Sequence, residues 1–511
     1  MVLCNRCQTE TSVHWKMQPC VKRDGRPCLL CQEDMELGRR FQELQHRRQN
    51  LHMRMNASHD PFVLAFPPEI SSHILLLSMG DWDYDPYEPY SDDVLLKKLP
   101  TPFLLGTVCR GWRQLARSTP RLWTTLSFTL AKPTKVSLFE AVRDWLQLSG
   151  GLPLTIWITN YYGENRVSPE IYRPVIDALN QHSGRWHKLG LFIPAPDLKH
   201  FCGSSSPSIL YDLNIINNGC LDIDGLLPTF RMNFKPSPTN VTIQSICLSA
   251  SDIGWGNLTY LFMEDMTFNE CIEAIRQAPL LESCIIAKCH STPSDVSIPR
   301  AIVRHMHLRT LDLDCTQEEL FIDLLDSMEC PALEKFSYEL GMSNAMTDSL
   351  VLLLNRSKSR LKELNLNGDG EDDLAGEDFK RLLNAIPSLR HLYLVWYTNN
   401  EFAMDDLLQE LSSSAPTLAG GTPGFLPHLR SLTFFSNCRG GRTMWRCIPH
   451  IYTWPHRKLL RLKLSVDEIE IDDNTSDKIL QLIAQGVNIR VRAGCEDYFR
   501  NWDRGLARTS T

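Results

Sequence analysis

The clearest chemical spacing in the chain belongs to four cysteines near its N-terminus. Cys4-x-x-Cys7 and Cys28-x-x-Cys31 form two pairs separated by twenty residues. Two such knuckles can present four thiolates tetrahedrally to one zinc ion, and this separation lies at the upper edge of the usual zinc pattern. His14 and Cys20 lie between the pairs as further donors. A segment this short has almost no apolar core, so a bound metal would supply its folding energy. Four thiolates leave no open position, so the zinc would be structural. Ordinary reduced cysteines are the other reading, because no glycine follows either pair.

No other spacing reads as catalysis. The chain lacks a Gly-x-x-x-x-Gly-Lys-Ser/Thr loop, a His-Glu-x-x-His helix and a Gly-x-Ser-x-Gly elbow. Seventeen cysteines and fifteen histidines make chance Cys/His pairings certain, so their presence alone identifies no nucleophile. The run Asn367-Gly-Asp-Gly-Glu-Asp-Asp-Leu-Ala-Gly-Glu-Asp378 is acidic, but its spacing does not match a calcium loop. It reads as an acidic patch able to receive a basic segment of another protein. The expectation is a non-catalytic protein that requires no cofactor, with one structural zinc as the single metal to consider.

Composition narrows the class. The 511 residues are 43% hydrophobic and 22% charged, with a net charge of −7. An acidic balance gives no global attraction to phosphate backbones, so nucleic acid is not an expected partner. No apolar run reaches the length of a membrane span. Met1 to Arg6 lacks the apolar core of a signal peptide, and the many scattered cysteines fit reduced thiols. Together these predict a cytoplasmic or nuclear location, or both.

The elements that organise the chain begin with the stretch Phe66 to Leu126. Pro67 and Pro68 preset φ at a helix entrance. Ile70, Ile74, Leu75 and Leu77 follow at helical spacing. A second helix aligns Leu104, Leu105, Val108, Trp112 and Leu115. Between the helices, Gly80 to Asp93 is acidic, aromatic and proline-bearing, which predicts an exposed loop at 80–93. Upstream, Leu37, Phe41, Leu44, Leu51 and Met55 alternate steps of four and three, with Arg48 interrupting. That pattern predicts a leader helix over 33–60, lying on the domain that follows in preference to forming a short coiled coil. Asp60-Pro61 ends it.

The order Pro-Pro-Glu-Ile, apolar helix, Val108-Cys109-Arg110-Gly111-Trp112-Arg113-Gln114-Leu115-Ala116 and Pro120-Arg121-Leu122-Trp123 resembles the F-box motif. The resemblance covers about sixty residues and implies a three-helix module, here 61–130, that docks on a Skp-type adaptor of a cullin–RING ubiquitin ligase. Leader helix, Asp-Pro turn and Pro-Pro-Glu-Ile together also resemble an arrangement recurring in one large F-box family. The loop at 80–93 is longer than a compact F-box needs. The resemblance directs attention to Pro67, Pro68, Ile70, Ile74, Leu105, Val108, Trp112 and Leu115 as adaptor-facing or core residues. Sequence does not divide them between the two roles.

Beyond Trp123 a Leu-x-x-Leu-x-Leu cadence repeats. It is clear at Leu308, Leu361, Leu389 and Leu459, and degenerate at 186, 210, 243, 258, 281, 333 and 429. Most steps lie between 23 and 30 residues, close to the leucine-rich-repeat period. The step of 15 after Ile243 suggests a false match, and the step of 40 after Leu389 leaves room for an insertion at 412–427, where Pro416, Pro423, Pro427 and three glycines fall. Segments such as Asn269 to Ala278 read as helices, so each unit is a strand plus a helix. The predicted fold class is α/β: a helical module followed by a leucine-rich-repeat-like solenoid over 131–495, with a Cys-rich segment at 1–32 and a tail at 496–511. A doubly wound sheet is the alternative. The resemblance implies a substrate receptor of an SCF-type ubiquitin ligase, touching a Skp-type adaptor, a cullin indirectly and a protein substrate. A non-catalytic interaction scaffold is the other functional class.

Overall fold

The computed structural model describes residues 28–79, 102–130, 137–160, 167–217, 230–291, 302–314, 317–339, 343–368, 376–396, 401–413, 424–436, 439–440, 442–494 and 496–499. Two compact units divide the chain. The first comprises Met1–Phe128 with Pro133–Ile156, the second Thr129–Lys132 with Trp157–Thr511.

In the first unit, α1 (Leu29–His59) is one continuous helix of 31 residues. It ends at Asp60 because Pro61 follows. Short helices come next: α2 (Pro61–Ala65), α3 (Pro68–Ser78), α4 (Pro102–Val108) and α5 (Arg110–Arg117), then a 3-10 turn at Pro120–Trp123 and α6 (Ser137–Leu148). Strands β1 (Thr125–Leu130) and β2 (Leu154–Asn160) begin here, and the Thr155 amide donates to the Thr124 carbonyl at 2.8 Å. Leu75, Leu105, Leu115, Ala116, Leu122 and Trp123 are buried. Trp123 packs edge-on against Phe103 at 5.0 Å and Trp145 at 5.2 Å between ring centroids. Its indole N–H donates to the Ala116 carbonyl at 2.7 Å, so the buried ring keeps a polar partner.

The second unit is α/β with a large parallel sheet. Strands β3 (Trp186–Phe192), β4 (Asp212–Ile216), β5 (Asn240–Gln244), β6 (Tyr260–Glu264), β7 (Ser283–Ala287), β8 (Thr310–Asp314), β9 (Lys335–Tyr338), β10 (Glu363–Gly368), β11 (His391–Trp396), β12 (Ser431–Ser436), β13 (Arg461–Val466) and β14 (Ile489–Ala493) add side by side in chain order. The chain then doubles back, and β15 (Glu496–Asp497) pairs antiparallel with β14. Helices α8 (Phe268–Gln277), α9 (Glu318–Asp326), α10 (Asn344–Ser357), α11 (Gly376–Asn384), α12 (Glu401–Ser413), α13 (Arg442–Ile451) and α14 (Asp473–Ala484) link successive strands, following α7 (Pro169–Gln181). From α9 onward, neighbouring helices pack side by side.

The register explains the cadence. Leu311 pairs with Phe336 and Leu313 with Tyr338; Leu364 and Leu366 align with Leu392 and Leu394, then with Leu432 and Phe434, then with Leu462 and Leu464. All are buried. Period-two alternation sends these residues to one face, where helices cover them: Phe321 of α9 meets Tyr338 edge-on at 6.2 Å. The long step after Leu389 does not disturb the ladder, since His391 pairs directly with Ser431.

Two cadence assignments need correction. At the unit read from Ile243, the strand is Asn240–Gln244, and Val241 with Ile243 are the inward pair aligned to Leu261 and Met263. The unit is real but begins five residues earlier, because Ile243 occupies the last apolar position and not the first. At the last unit Leu459 is 86% exposed, and Leu460, at 1%, fills the position instead. Helix α1 covers the predicted leader segment and touches α5, but Leu37, Phe41, Leu44, Leu51 and Met55 are all exposed. The predicted loop at 80–93 lies outside the described residues, as do 414–423 of the predicted insertion at 412–427, whose first two residues end α12.

Three successive strands end alike. Ser245, Asp265 and Lys288 follow β5, β6 and β7, each with a left-handed φ of 52°, 54° and 48°. Their amides continue the ladder to the Glu264, Ala287 and Asp314 carbonyls. The recurring ladder bonds hold these non-glycine residues in a conformation they otherwise avoid. Among the described residues no helix is long and apolar enough to cross a membrane.

Candidate functional site

The first candidate surface is built on α2 to α5. Asp60 joins its two halves. One carboxylate oxygen accepts from the Phe62 and Val63 amides at 3.0 and 3.3 Å and caps α2; the other accepts from Cys109 Sγ at 3.2 Å. Cys109 in turn caps α5, its sulfur accepting from the Trp112 amide at 3.4 Å. The Trp112 ring lies 4.6 Å from that of Phe62. Gly111 permits the approach of α2, since a Cβ there would stand 3.3 Å from Val63 Cγ1. Ser71 donates to the Phe62 carbonyl at 2.8 Å, which fixes α3 against α2.

This frame divides the residues that sequence left undivided. Leu105 and Leu115 are buried, and Trp112 is half-buried on Phe62. Pro67, Pro68, Ile70, Ile74 and Val108 are exposed. Ile70 is 48% and Ile74 40% exposed, while Leu75, one position along the same helix, is 2%. Leu77 and Leu104 are exposed as well. Helix α3 therefore carries an outward apolar row, Ile70, Ile74 and Leu77, opposite an inward face of Ser71 and Leu75. Helix α4 repeats the division with Leu104 and Val108 outward and Leu105 inward. Surfaces of this kind mark sites where another protein docks.

The cysteine pairs are only partly described. Cys28 immediately precedes α1 and Cys31 lies in its first turn, both half-buried. Cys4, Cys7, His14 and Cys20 lie outside the described residues. Among the described residues no group of three or more His, Cys, Asp or Glu side chains is arranged to hold a metal.

The second candidate surface is the face of the sheet opposite the buried leucines. There a concavity of about 410 Å³ is lined by Asp312, Glu339, Asn367, Tyr393, Val395 and Phe435, with shorter contributions from their neighbours. Burial pushes the Asp312 carboxyl up from its ordinary range, against the opposing pull of Lys335 and a hydrogen bond from Ser337. Burial, followed by repulsion from Asp314 and Asp312, does the same to Glu339. Asn367 Oδ1 is buried and has no hydrogen-bond partner among the described residues. Tyr393 and Phe435 present exposed rings. Two carboxylates and one unpartnered amide oxygen, beside aromatic faces, suit a guanidinium or ammonium group. Further along the same face the sign reverses: Arg461, Lys463, Arg490 and Arg492 are exposed on β13 and β14, with Lys463 directly beside Arg490.

Sequence reasoning placed the acidic patch at 367–378, of which 369–375 lie outside the described residues. It missed Asp312 and Glu339. A signal was present: the residue between the last two apolar positions of each cadence faces away from the core, which picks out Asp312, Asn365, Tyr393 and Lys463. A larger concavity, about 710 Å³, lies beside Trp255 and α8. Its polar walls serve local structure, since Glu270 accepts from the Leu248 amide at 2.7 Å and closes a capping box with Thr267. In comparison with known proteins, the sequence matches no family model and no curated protein.

Proposed function

We propose that this chain is the substrate-recognition subunit of an SCF-type E3 ubiquitin ligase. In this reading residues 61–130 act as an F-box that docks on a Skp-type adaptor. The strand-and-helix units act as a leucine-rich-repeat-like solenoid that holds a protein substrate. The observation that carries the reading is the outward apolar row Ile70, Ile74 and Leu77 on a helix whose inward face is already closed by Leu75. Apolar side chains exposed in one row fit a surface that a partner covers. Strict chain order of the parallel strands supports a solenoid over a doubly wound sheet, whose strand order reverses at a switch point.

Such a receptor makes no bonds. It raises the effective concentration of substrate beside the ubiquitin-charged enzyme and fixes its orientation. The strand face supplies the recognition surface. Its acidic, aromatic concavity would take a cationic side chain of the substrate, and the basic end at β13 and β14 would meet acidic groups further along the same segment.

Reconstitution tests the reading. The full-length chain should co-purify with a Skp-type adaptor and a cullin, and Ile70→Glu with Ile74→Glu should lose both while circular dichroism stays unchanged. Adaptor without cullin would make the protein a scaffold. Binding to neither would overturn the reading.

A further inference from the structure

The exposed face of α1 invites a partner, independently of any ligase role. Leu30, Leu37, Phe41, Leu44, Leu51 and Met55 are all exposed, Leu30 by 76%. Helices of this length in proteins are stabilised chiefly by packing one apolar face. The spacing here is that of a two-stranded coiled coil. Leu30, Leu37, Leu44 and Leu51 recur every seventh residue, and Phe41 and Met55 fill the alternate seam position. Asp34 and Arg48 occupy that same alternate position in the remaining turns.

We infer that α1 pairs with α1 of a second copy of this chain as an antiparallel coiled coil. Reversing the helix about the midpoint between Phe41 and Leu44 aligns every seam residue. Leu30 then faces Met55 of the second copy, Leu37 faces Arg48, Phe41 faces Leu44, and Leu51 faces Asp34. Arg48 stands one layer, about 4.5 Å along the axis, from Asp34 of the second copy. Opposite charges therefore meet where the seam is polar. A parallel pair would instead set Asp34 against Asp34 and Arg48 against Arg48 in the interior, where like charges repel.

One flank pair favours this arrangement and one carries like charges. Glu33 comes beside Arg54 of the second copy. Arg40 comes beside Arg47, but Arg40 is already paired within its own helix, its Nε 3.0 Å from Glu36 Oε1. The seam is thus complementary to its own reverse, which identifies a second copy as the occupant in preference to an unrelated helix.

Light scattering of the full-length chain across a concentration series tests this. The expected result is twice the monomer mass, halved by Leu37→Asn with Leu44→Asn at unchanged circular dichroism. Arg48→Asp should lower the dimer fraction, and adding Asp34→Arg should restore it. A benzophenone side chain in place of Leu30 should cross-link to residues 51–59 of the second copy. A monomeric wild type, a dimer indifferent to the Leu37/Leu44 variant, absence of rescue, or cross-links confined to residues 29–33 would each overturn the inference.

Discussion

Helix α3 offers a test in which three substitutions on one face should cost less than one on the other. Full burial of an isoleucine or leucine side chain is worth roughly 1.5–3 kcal/mol. Ile70 and Ile74 realise only about half of that at 48% and 40% exposure, and Leu77, at 70%, realises less. These fractions sum to roughly 2–4 kcal/mol. The β-methyl that alanine keeps and its better helix propensity over isoleucine offset about 2 kcal/mol of this, so truncating all three should cost about 2 kcal/mol or less. Leu75 is 2% exposed. Leu75→Ala should cost about 2.7–5 kcal/mol, the range for leucine truncation in a packed core. A chain of this size does not unfold in one step, so the informative readout is local. Hydrogen exchange of peptides covering 66–79 and 102–117 reports opening of this module. The triple variant should accelerate exchange by at most about thirtyfold, and Leu75→Ala by about a hundredfold or more. Equal acceleration by the two, or a silent Leu75→Ala, would refute the division into core and docking face.

Three further outcomes follow from the second unit. Asp312→Asn and Glu339→Gln should raise the melting temperature at pH 7 while weakening capture of arginine-bearing peptides. Burial raises both carboxyl pKa values, so the folded state holds more protons than the unfolded chain, and stability is lost as pH rises above the ordinary carboxylate value. Gly190→Ala would place a Cβ 2.0 Å from Trp157 Cε3; it should destabilise by about 1–3 kcal/mol or more, and Trp157→Leu should recover most of the loss in a double-variant cycle. Burial lowers the pKa of His305 in the folded state, so the unfolded chain binds more protons below the ordinary value of 6.5, and stability falls as pH drops through it. Melting at pH 7.5 and 5.5 should show a smaller difference in His305→Phe than in wild type. His182, His200 and His456 shift in the same direction and retain the remainder.

Sequence was most informative where one chemical pattern decides one geometry. The recurring Leu-x-x-Leu-x-Leu predicted the buried positions of β8, β10 and β11 residue by residue, because alternation in a strand admits a single inward set. It failed at Leu459, where the adjacent Leu460 offered a second register, and at Ile243, where Val241 and Ile246 on either side let the unit start early or late, and only packing chose. The paired prolines and the helical spacing located α3, but not which side of it faces inward. That depended on Ser71 reaching the Phe62 carbonyl and on α5 packing against α3, contacts that no local pattern encodes. The candidate surface on the sheet was harder still. Asp312, Asn367, Tyr393 and Phe435 come from four strands spread over more than a hundred residues, and only the register brings them to one concavity. The seam of α1 was visible as spacing, yet its exposure was not, since a stripe reads the same whether its own chain or another covers it.

The proposed function stands most directly on one titration. Purified full-length chain titrated with a Skp-type adaptor in a calorimeter should bind with one-to-one stoichiometry. Ile70→Glu with Ile74→Glu should weaken that binding by roughly thirtyfold or more for each residue, as expected of central interface side chains, while Leu352→Glu, an exposed position on α10, should leave it unchanged. An absence of binding heat, or an affinity indifferent to the α3 variant, would contradict the assignment of this face to an adaptor.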